Sequence, residues 1–379
     1  MIDPYKIPSP SFVIEEDLLE NNLKVLDRVQ KESSATIILA LKGFAMHGVF
    51  DRINRYLKGV TASSLHEARL GYEAFRGEVH AYSPVYFEDE FDEMAKYCSH
   101  ITFNSINQWQ KYKNHQLIAS GKISCGLRIN PEYSEIQTDL YNPAGKGSRL
   151  GLPDYLLKDG LPKGIEGLHF HTLFENNSDV LERTLSAVEE KFGHLFSQIK
   201  WLNFGGGHGI TQKTYDLEKL IHLIRNLKSR YNFEIILEPG SAIAWETGTL
   251  VSTVIDIVEN HGKKTAMLDV SFAAHMPDCI EMPYKPRIRG AKDAQSGDEY
   301  IYDMGGTTCL AGDVMSGYSF PKPLQAGDKI IFEDMIHYTM VKTTTFNGVK
   351  HPSIGMWTNE GKFHLFKQYG YEDFKNRLS

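Results

Sequence analysis

Lys42 ends a short apolar run, Thr36–Leu41, and Gly43 follows at once. Later strand-like runs end in the same way on groups able to do chemistry: His169-Phe170-His171, Gly205-Gly206-Gly207 and Glu238-Pro239-Gly240. Each has an ordinary explanation when taken alone: a solvated lysine, a glycine turn, a salt-bridged glutamate. Together they supply a primary amine, an aromatic ring able to carry positive charge, a phosphate-sized nest and a carboxylate, all at strand exits. A pyridoxal phosphate (PLP) site needs that set. An amine attacks an aldehyde only when deprotonated, so the surroundings of Lys42 must lower its pKa. Glycines permit positive φ and let backbone N–H groups converge on an anion. A carboxylate beside a pyridine nitrogen keeps that nitrogen protonated and makes the ring an electron sink.

The glycines do not follow G-x-G-x-x-G, which argues against a dinucleotide. His169 and His171 lie two residues apart on one strand, a spacing that also serves zinc in barrel hydrolases. His208, Asp269 and Lys42 would have to complete such a set, and their order along the chain suits it poorly. A ring stacked on a flat cofactor is the better use of His171, so no metal is expected. The hydrolase stays as the rival from another class. A glycine-rich loop, Gly305–Asp313, carries Cys309 and Asp313, a thiol and a carboxylate suited to proton donation or amine binding. His275-Met276-Pro277-Asp278 with Glu281 is a second polar cluster able to hold ammonium groups.

Elements that position these residues follow from periodicity. Apolar runs recur at Thr36–Leu41, Gly59–Ala62, Val79–Ser83, Ile101–Asn104, Ile123–Ile129, Ile165–His171, Lys200–Phe204 and Glu234–Glu238. Helical patterns separate most of them; Leu217, Leu220, Ile221, Ile224 and Leu227 follow the i, i+3, i+4 rule. Strands alternating with helices in this number predict a (β/α)8 TIM barrel, with a doubly wound open sheet as the alternative. In such a barrel the functional groups gather at the C-terminal strand ends, where Lys42, Asn104, Asn130, His171, Gly205–Gly207 and Glu238 all fall.

After Gly240 the texture changes to β-branched alternation: Thr249–Val258, Ala266–Val270, Glu299–Met304, Lys329–Phe332 and Tyr338–Thr344 read as strands. The expected division is a barrel over residues 31–243 and a β domain over 1–30 and 244–379. Ser11–Glu15 is its N-terminal strand, and Leu18–Lys31 a helix leading into the barrel. The irregular stretch Asn130–Gly151 is long enough to suggest a functional loop.

Net charge is −7 without a basic block, which argues against nucleic acid or an anionic membrane as partner. Four scattered cysteines and an N-terminus lacking an apolar core predict reduced thiols and a cytoplasmic protein.

The ordered set Ala40-Leu41-Lys42-Gly43-Phe44, Gly167–Thr172, Asn203–Gly207, Glu238-Pro239-Gly240, Cys309–Asp313, Tyr338-Thr339 and Phe346-Asn347-Gly348 resembles the fold-type III PLP-dependent decarboxylases. Within them it most resembles the carboxynorspermidine (carboxyspermidine) decarboxylases, through Leu140–Pro143, His275–Asp278 and Glu281–Tyr284. The resemblance implies an alanine racemase-like architecture: a PLP barrel with a β-sandwich or Greek-key barrel domain, working as a homodimer with shared sites. It implies Lys42 as the Schiff-base lysine, His171 stacked on the ring, Gly205–Gly207 with Tyr338 on the phosphate, and Glu238 on the pyridine nitrogen. Cys309 and Asp313 would reach in from the partner subunit, Cys309 as proton donor. Asp278 and Asp313, with His275, would bind the ammonium groups of a polyamine-type substrate. Basic amino-acid decarboxylases of this fold place an arginine after Glu-Pro-Gly; Ser241 stands here and is expected to face phosphate or substrate. Diaminopimelate-like decarboxylases and racemases share fold and cofactor, but no second base for a racemase is evident. A non-catalytic PLP carrier would need neither Cys309, Asp313 nor a β domain.

Overall fold

Short apolar runs that do not alternate with polar residues suit strands covered on both faces, by helices outside and by facing side chains inside. The computed structural model describes residues 2–379 and arranges the runs in that way. The chain divides into two compact units, one from the N-terminus to Asn21 with Ala244–Ser379, the other Asn22–Ile243. The division falls within the helix Glu16–Ser33, which follows the opening strand Ser11–Glu15 (β1).

The unit Asn22–Ile243 is a parallel barrel. Its strands are Thr36–Ile37 (β2), Leu39–Ala40 (β3), Gly59–Ala62 (β4), Glu78–Tyr82 (β5), His100–Phe103 (β6), Ser124–Arg128 (β7), Gly167–His169 (β8), Trp201–Asn203 (β9) and Glu234–Leu237 (β10). They pair in the order β2-β10-β9-β8-β7-β6-β5-β4-β3. β2 and β3 are one run interrupted at Ile38, whose N–H donates to Leu237 O at 3.0 Å, so the first run joins both ends of the sheet and closes it. The eight sequence runs thus appear in order, and the open-sheet alternative falls away.

Closure brings backbones very near each other beyond the strand ends. A Cβ on Gly43 would lie 2.8 Å from Gly240 Cα, so glycine stands at both positions because neither chain segment can move aside. Deeper in the barrel, Gly126, Gly167 and Trp201 share one register row on β7, β8 and β9. A Cβ on Gly126 or Gly167 would fall 2.2 or 2.1 Å from the Trp201 ring. One indole therefore fills the space of three side chains, packed against Ile38 and Ile236.

In the other unit the continuing chain supplies Gly248–Asn260 (β11), Lys263–Leu268 (β12), Lys292–Asp293 (β13), Ile301–Gly305 (β14), Val314–Ser319 (β15), Lys329–Glu333 (β16), Ser353–Trp357 (β17) and Phe363–Lys367 (β18). β11 is long enough to serve two sheets. Its first half pairs with β1 and β16, its second with β12, and the register shifts between Val254 and Asp256. A bulge at that point lets one strand turn from one sheet into the next. β1 runs parallel to β17 and β12 parallel to β14, so the domain is a mixed sheet.

One expected strand is absent. Tyr338–Val341 is a helical turn, with Val341 and Lys342 N–H bonded back to His337 and Tyr338 carbonyls. Tertiary context overrides the β propensity of the residues there.

The Trp201 row yields a stability prediction. Gly167→Ala forces a methyl group into the indole and should lower the urea midpoint by the equivalent of about 1–3 kcal/mol. Adding Trp201→Leu should recover part of that loss, a non-additivity read by comparing both single variants with the double.

Candidate active site

Strand ends build the site. Arg128, His169 and Asn203 occupy one register row as the last residues of β7, β8 and β9, so their side chains leave on the same face. Lys42, His171 and Gly205 lie two residues beyond their strands and Glu238 one.

Glu238 is buried. Its Oε1 accepts from Asn203 Nδ2 at 2.8 Å, and Asn203 Oδ1 accepts in turn from Gly205 N–H at 2.8 Å. Oε2 lies 3.3 Å from His169 Nε2. Burial alone pushes the Glu238 carboxyl up, yet His169 and the Asn203 amide outweigh it and hold it below the usual carboxylate range. His169 responds to burial in the opposite sense and is depressed despite Glu238. Each of the two groups favours the charged form of the other, and burial acts against both.

Solvent reaches Lys42, although protein surrounds the side chain densely. That crowding lowers its pKa first, and Arg128 lowers it further, while Glu238 and Glu67 oppose them. Glu67 sits in the helix Leu65–Leu70, where its Oε2 accepts from Ser63 N–H at 2.7 Å. Arg128 is buried, lies 4.6 Å over the Tyr82 ring and donates to His171 O at 3.2 Å. Tyr82 OH donates to Asn104 Oδ1, which also accepts from Gly151 N–H. Asn104 thereby ties the irregular 130–151 segment to the barrel rim.

His171 Nδ1 accepts from Gly206 N–H at 2.7 Å and is therefore unprotonated. Burial, then Lys42 and Arg128, drive its pKa well below the ordinary value. The ring is a neutral one, where the sequence alone suggested a cation-capable group. Gly205 and Gly207 have φ of 68° and 83°. A Cβ on Gly205, Gly206 or Gly207 would lie 2.5, 2.5 or 1.9 Å from the Phe170, Glu238 or Leu173 carbonyl oxygen. These are glycines by necessity; Gly205 and Gly206 N–H are bonded to Asn203 Oδ1 and His171 Nδ1, which leaves the half-buried Gly207 N–H, of the three, for a small anion. A poorly basic amine, a glycine nest, a neutral ring and an ionised buried carboxylate fit PLP: they match its aldehyde, phosphate, ring face and ring nitrogen.

Sequence reading missed Arg128, Tyr82, Asn203 and Glu67. Register pairing with His169 was the signal for Arg128 and Asn203, and it is invisible until strands are aligned. The zinc reading of His169 and His171 finds no third donor: among the described residues, the group of His, Cys, Asp or Glu close enough to share a cation is Glu78, His80 and His100.

Ser241 is half-buried and opens the turn Ser241–Ala244, its N–H 3.1 Å from where a Gly43 Cβ would stand. In the β unit, Cys309 is exposed, its N–H held by Asn347 Oδ1 at 2.8 Å. Tyr338 is half-buried at the start of its helical turn. Asp278 Oδ2 accepts from Tyr284 OH and Thr339 Oγ1, while buried Oδ1 has no partner. Two expectations need correction. Asp313 is buried and accepts from Ser271 Oγ, Phe272 N, Ala273 N, Thr308 N and Thr308 Oγ1, so its carboxylate shapes the loop and has no oxygen to spare for an amine. His275 is fully buried, with Nδ1 accepting from Ser271 N–H at 3.1 Å, so its ring has no surface to offer a substrate; burial also holds its pKa near 4.

Because the Glu238 carboxyl is depressed in the fold, it contributes stability above the unfolded value of about 4.3 and loses it as pH falls through the lower folded value. Urea midpoints of the cofactor-free protein from pH 7 to pH 3 should fall more steeply for the native chain than for Glu238→Gln. Equal slopes would mean that Glu238 is not preferentially ionised in the fold.

Comparison with known proteins agrees with this geometry. The family described as pyridoxal-dependent decarboxylase, C-terminal sheet domain, matches residues 13–336. A carboxyaminopropylagmatine decarboxylase from Synechocystis sp. is 51% identical over 373 residues, covering 98% of this chain and 96% of the relative. A carboxynorspermidine/carboxyspermidine decarboxylase from Campylobacter jejuni is 44% identical, covering 98% and 99%. The crystal structure of carboxynorspermidine decarboxylase from Campylobacter jejuni, complexed with norspermidine, superimposes with a TM-score of 0.91 at 43% identity, over 98% of this chain and all of that one. The Helicobacter pylori diaminopimelate decarboxylase shares the fold, with a TM-score of 0.81 at 17% identity. With a closed barrel, a mixed-sheet domain and full-length relatives of this kind, the chain belongs to the pyridoxal-dependent decarboxylase family.

Proposed function

We propose that this chain removes the α-carboxylate of carboxynorspermidine or carboxyspermidine, releasing norspermidine or spermidine and carbon dioxide. The observation that carries the reading is the pairing of a weakly basic Lys42 with an ionised, buried Glu238 at one barrel rim. Full-length similarity to carboxylated-polyamine decarboxylases supports it.

PLP, when bound, supplies an aldehyde for amines and a ring that accepts the electron pair left as carbon dioxide departs. The protein does the rest. Lys42 Nζ would hold the aldehyde carbon, its oxygen leaving as water, and the lowered pKa favours the unprotonated amine that this needs. The Gly205–Gly207 turn would hold the phosphate through Gly207 N–H, with Tyr338 and Ser241 as hydroxyl donors. His171, its orientation set by Gly206 N–H, would cover one ring face. The Glu238 carboxylate would keep a proton on the ring nitrogen, and Asn203 Nδ2 donates to that carboxylate and keeps it from turning away. Cys309 Sγ delivers the proton to Cα. Asp278 Oδ1 takes an ammonium group of the substrate by a charge-assisted hydrogen bond. The chain works as a homodimer in which Cys309 serves the partner's barrel, on a loop that Asp313 shapes. Unpaired cysteines fit a reducing cytoplasm, and no helix among the described residues is long and apolar enough to cross a membrane.

A second reading rests on the 51% identity with the Synechocystis enzyme: carboxyaminopropylagmatine, whose far end is a guanidinium in place of an ammonium. Incubating the PLP-loaded protein with all three substrates and identifying the released amine separates the two readings. Norspermidine or spermidine as the faster product sustains the first, aminopropylagmatine the second, and no carbon dioxide from any of them removes both.

Lys42→Ala should lose both turnover and the visible absorbance of bound cofactor. Cys309→Ala should retain that absorbance and lower kcat about 10²–10⁴-fold. Mixing the two variants and letting subunits exchange should restore about a quarter of native activity, since half the dimers then hold one intact site. No recovery would refute shared sites.

A further inference from the structure

We propose that Glu78, His80 and His100 form a divalent transition-metal site, of the kind that takes Zn²⁺, at the N-terminal end of the barrel strands. Glu78 and His80 are the first and third residues of β5, so period-2 alternation sends both to one face. His100 opens β6 directly opposite His80 in the parallel register. Two imidazoles and a carboxylate thus leave adjacent strands side by side. Their donor atoms all lie within 4.8 Å of one another. His80 Nε2 is 3.4 Å from Glu78 Oε2, and the two rings stack with centroids 3.9 Å apart.

Ser99 Oγ lies 3.0 Å from His100 Nδ1 and 3.2 Å from Val79 O. In the tautomer with the proton on Nδ1, that contact orients the ring and leaves the Nε2 lone pair for a cation. Metal-bound histidines are oriented in this way, through the nitrogen that does not touch the metal. Closing on Zn²⁺ at about 2.0–2.2 Å fans the stacked rings apart and draws in Glu78, whose side chain is half exposed. Three protein ligands with water in the fourth position complete the tetrahedron.

This face of a barrel serves stability, while chemistry occupies the opposite one. The site clamps β5 to β6 and is separate from Lys42, so it stands or falls independently of the decarboxylase reading. Surface histidines and the Cys309 thiol are competing ligands, and the test must exclude them.

Zn²⁺ titrated calorimetrically into PLP-loaded protein should bind one ion per chain and raise the thermal midpoint. Co²⁺ should give d–d bands without a thiolate charge-transfer band. His100→Ala should weaken Zn²⁺ binding at least about 100-fold, and Ser99→Ala, which removes only the orienting partner, about 10–100-fold. Glu78→Gln, at an exposed position, decides the matter if His100→Ala does not fold; it too should abolish the zinc-dependent rise in midpoint. Cofactor absorbance reports that each variant keeps the barrel. Absence of a one-to-one ion, a thiolate band, or equal affinity in the native chain and Glu78→Gln would each overturn the proposal.

Discussion

Two cations share the C-terminal mouth of the barrel with a carboxylate that has almost no water to solvate it, and the arrangement of the rim answers to that crowding. Glu238 is buried and stays ionised through the Asn203 amide and the neighbouring His169. Arg128 is buried as well, and rests on the Tyr82 face and the His171 carbonyl. A guanidinium remains charged under such burial, whereas an ammonium gives up its proton more readily. Arg128 therefore acts as the fixed positive charge that makes Lys42 a weaker base. The same field, with burial, strips His171 of its proton and turns it into a flat neutral surface. Burial first, and this distribution of charge after it, set the state of the three side chains.

Backbone crowding is the second constraint, and glycine is its signature. Gly205 and Gly207 combine positive φ with carbonyl oxygens where a Cβ would stand, so no other residue reproduces that turn. Gly43 and Gly240 let the first and last strand exits touch. The Lys42 turn and the Glu238 turn are thus held together by main chain, which is stiffer than any side-chain contact. Positions two residues beyond the strands inherit the precision of the strands themselves.

In the β unit the same logic separates residues that build a loop from residues that present a group. Asp313 spends both carboxylate oxygens on five donors and fixes the turn ahead of Cys309. Cys309 is exposed, its amide pinned by Asn347. Asp278 keeps one oxygen without a partner, so it alone among the predicted acidic ligands retains binding capacity.

Much of this was legible in the chain. Eight apolar runs separated by helical patterns point to a parallel sheet covered on both faces, and the pairing of the first run with both ends of that sheet makes it a barrel. Lys42, His171, Gly205–Gly207 and Glu238 were visible because chemistry placed at strand exits interrupts an apolar pattern. The neutral state of His171, the structural use of Asp313 and the importance of Arg128 and Asn203 were not visible. Nor was the helical turn at Tyr338, where β-branched composition misleads. Each of these depends on what lies opposite a residue across the sheet or above it in a loop, and register is a property of paired strands, not of one. By itself the chain determined which groups sit at the barrel rim; tertiary structure decided their charge, because burial and neighbouring ions, which set protonation, come from residues far apart in sequence.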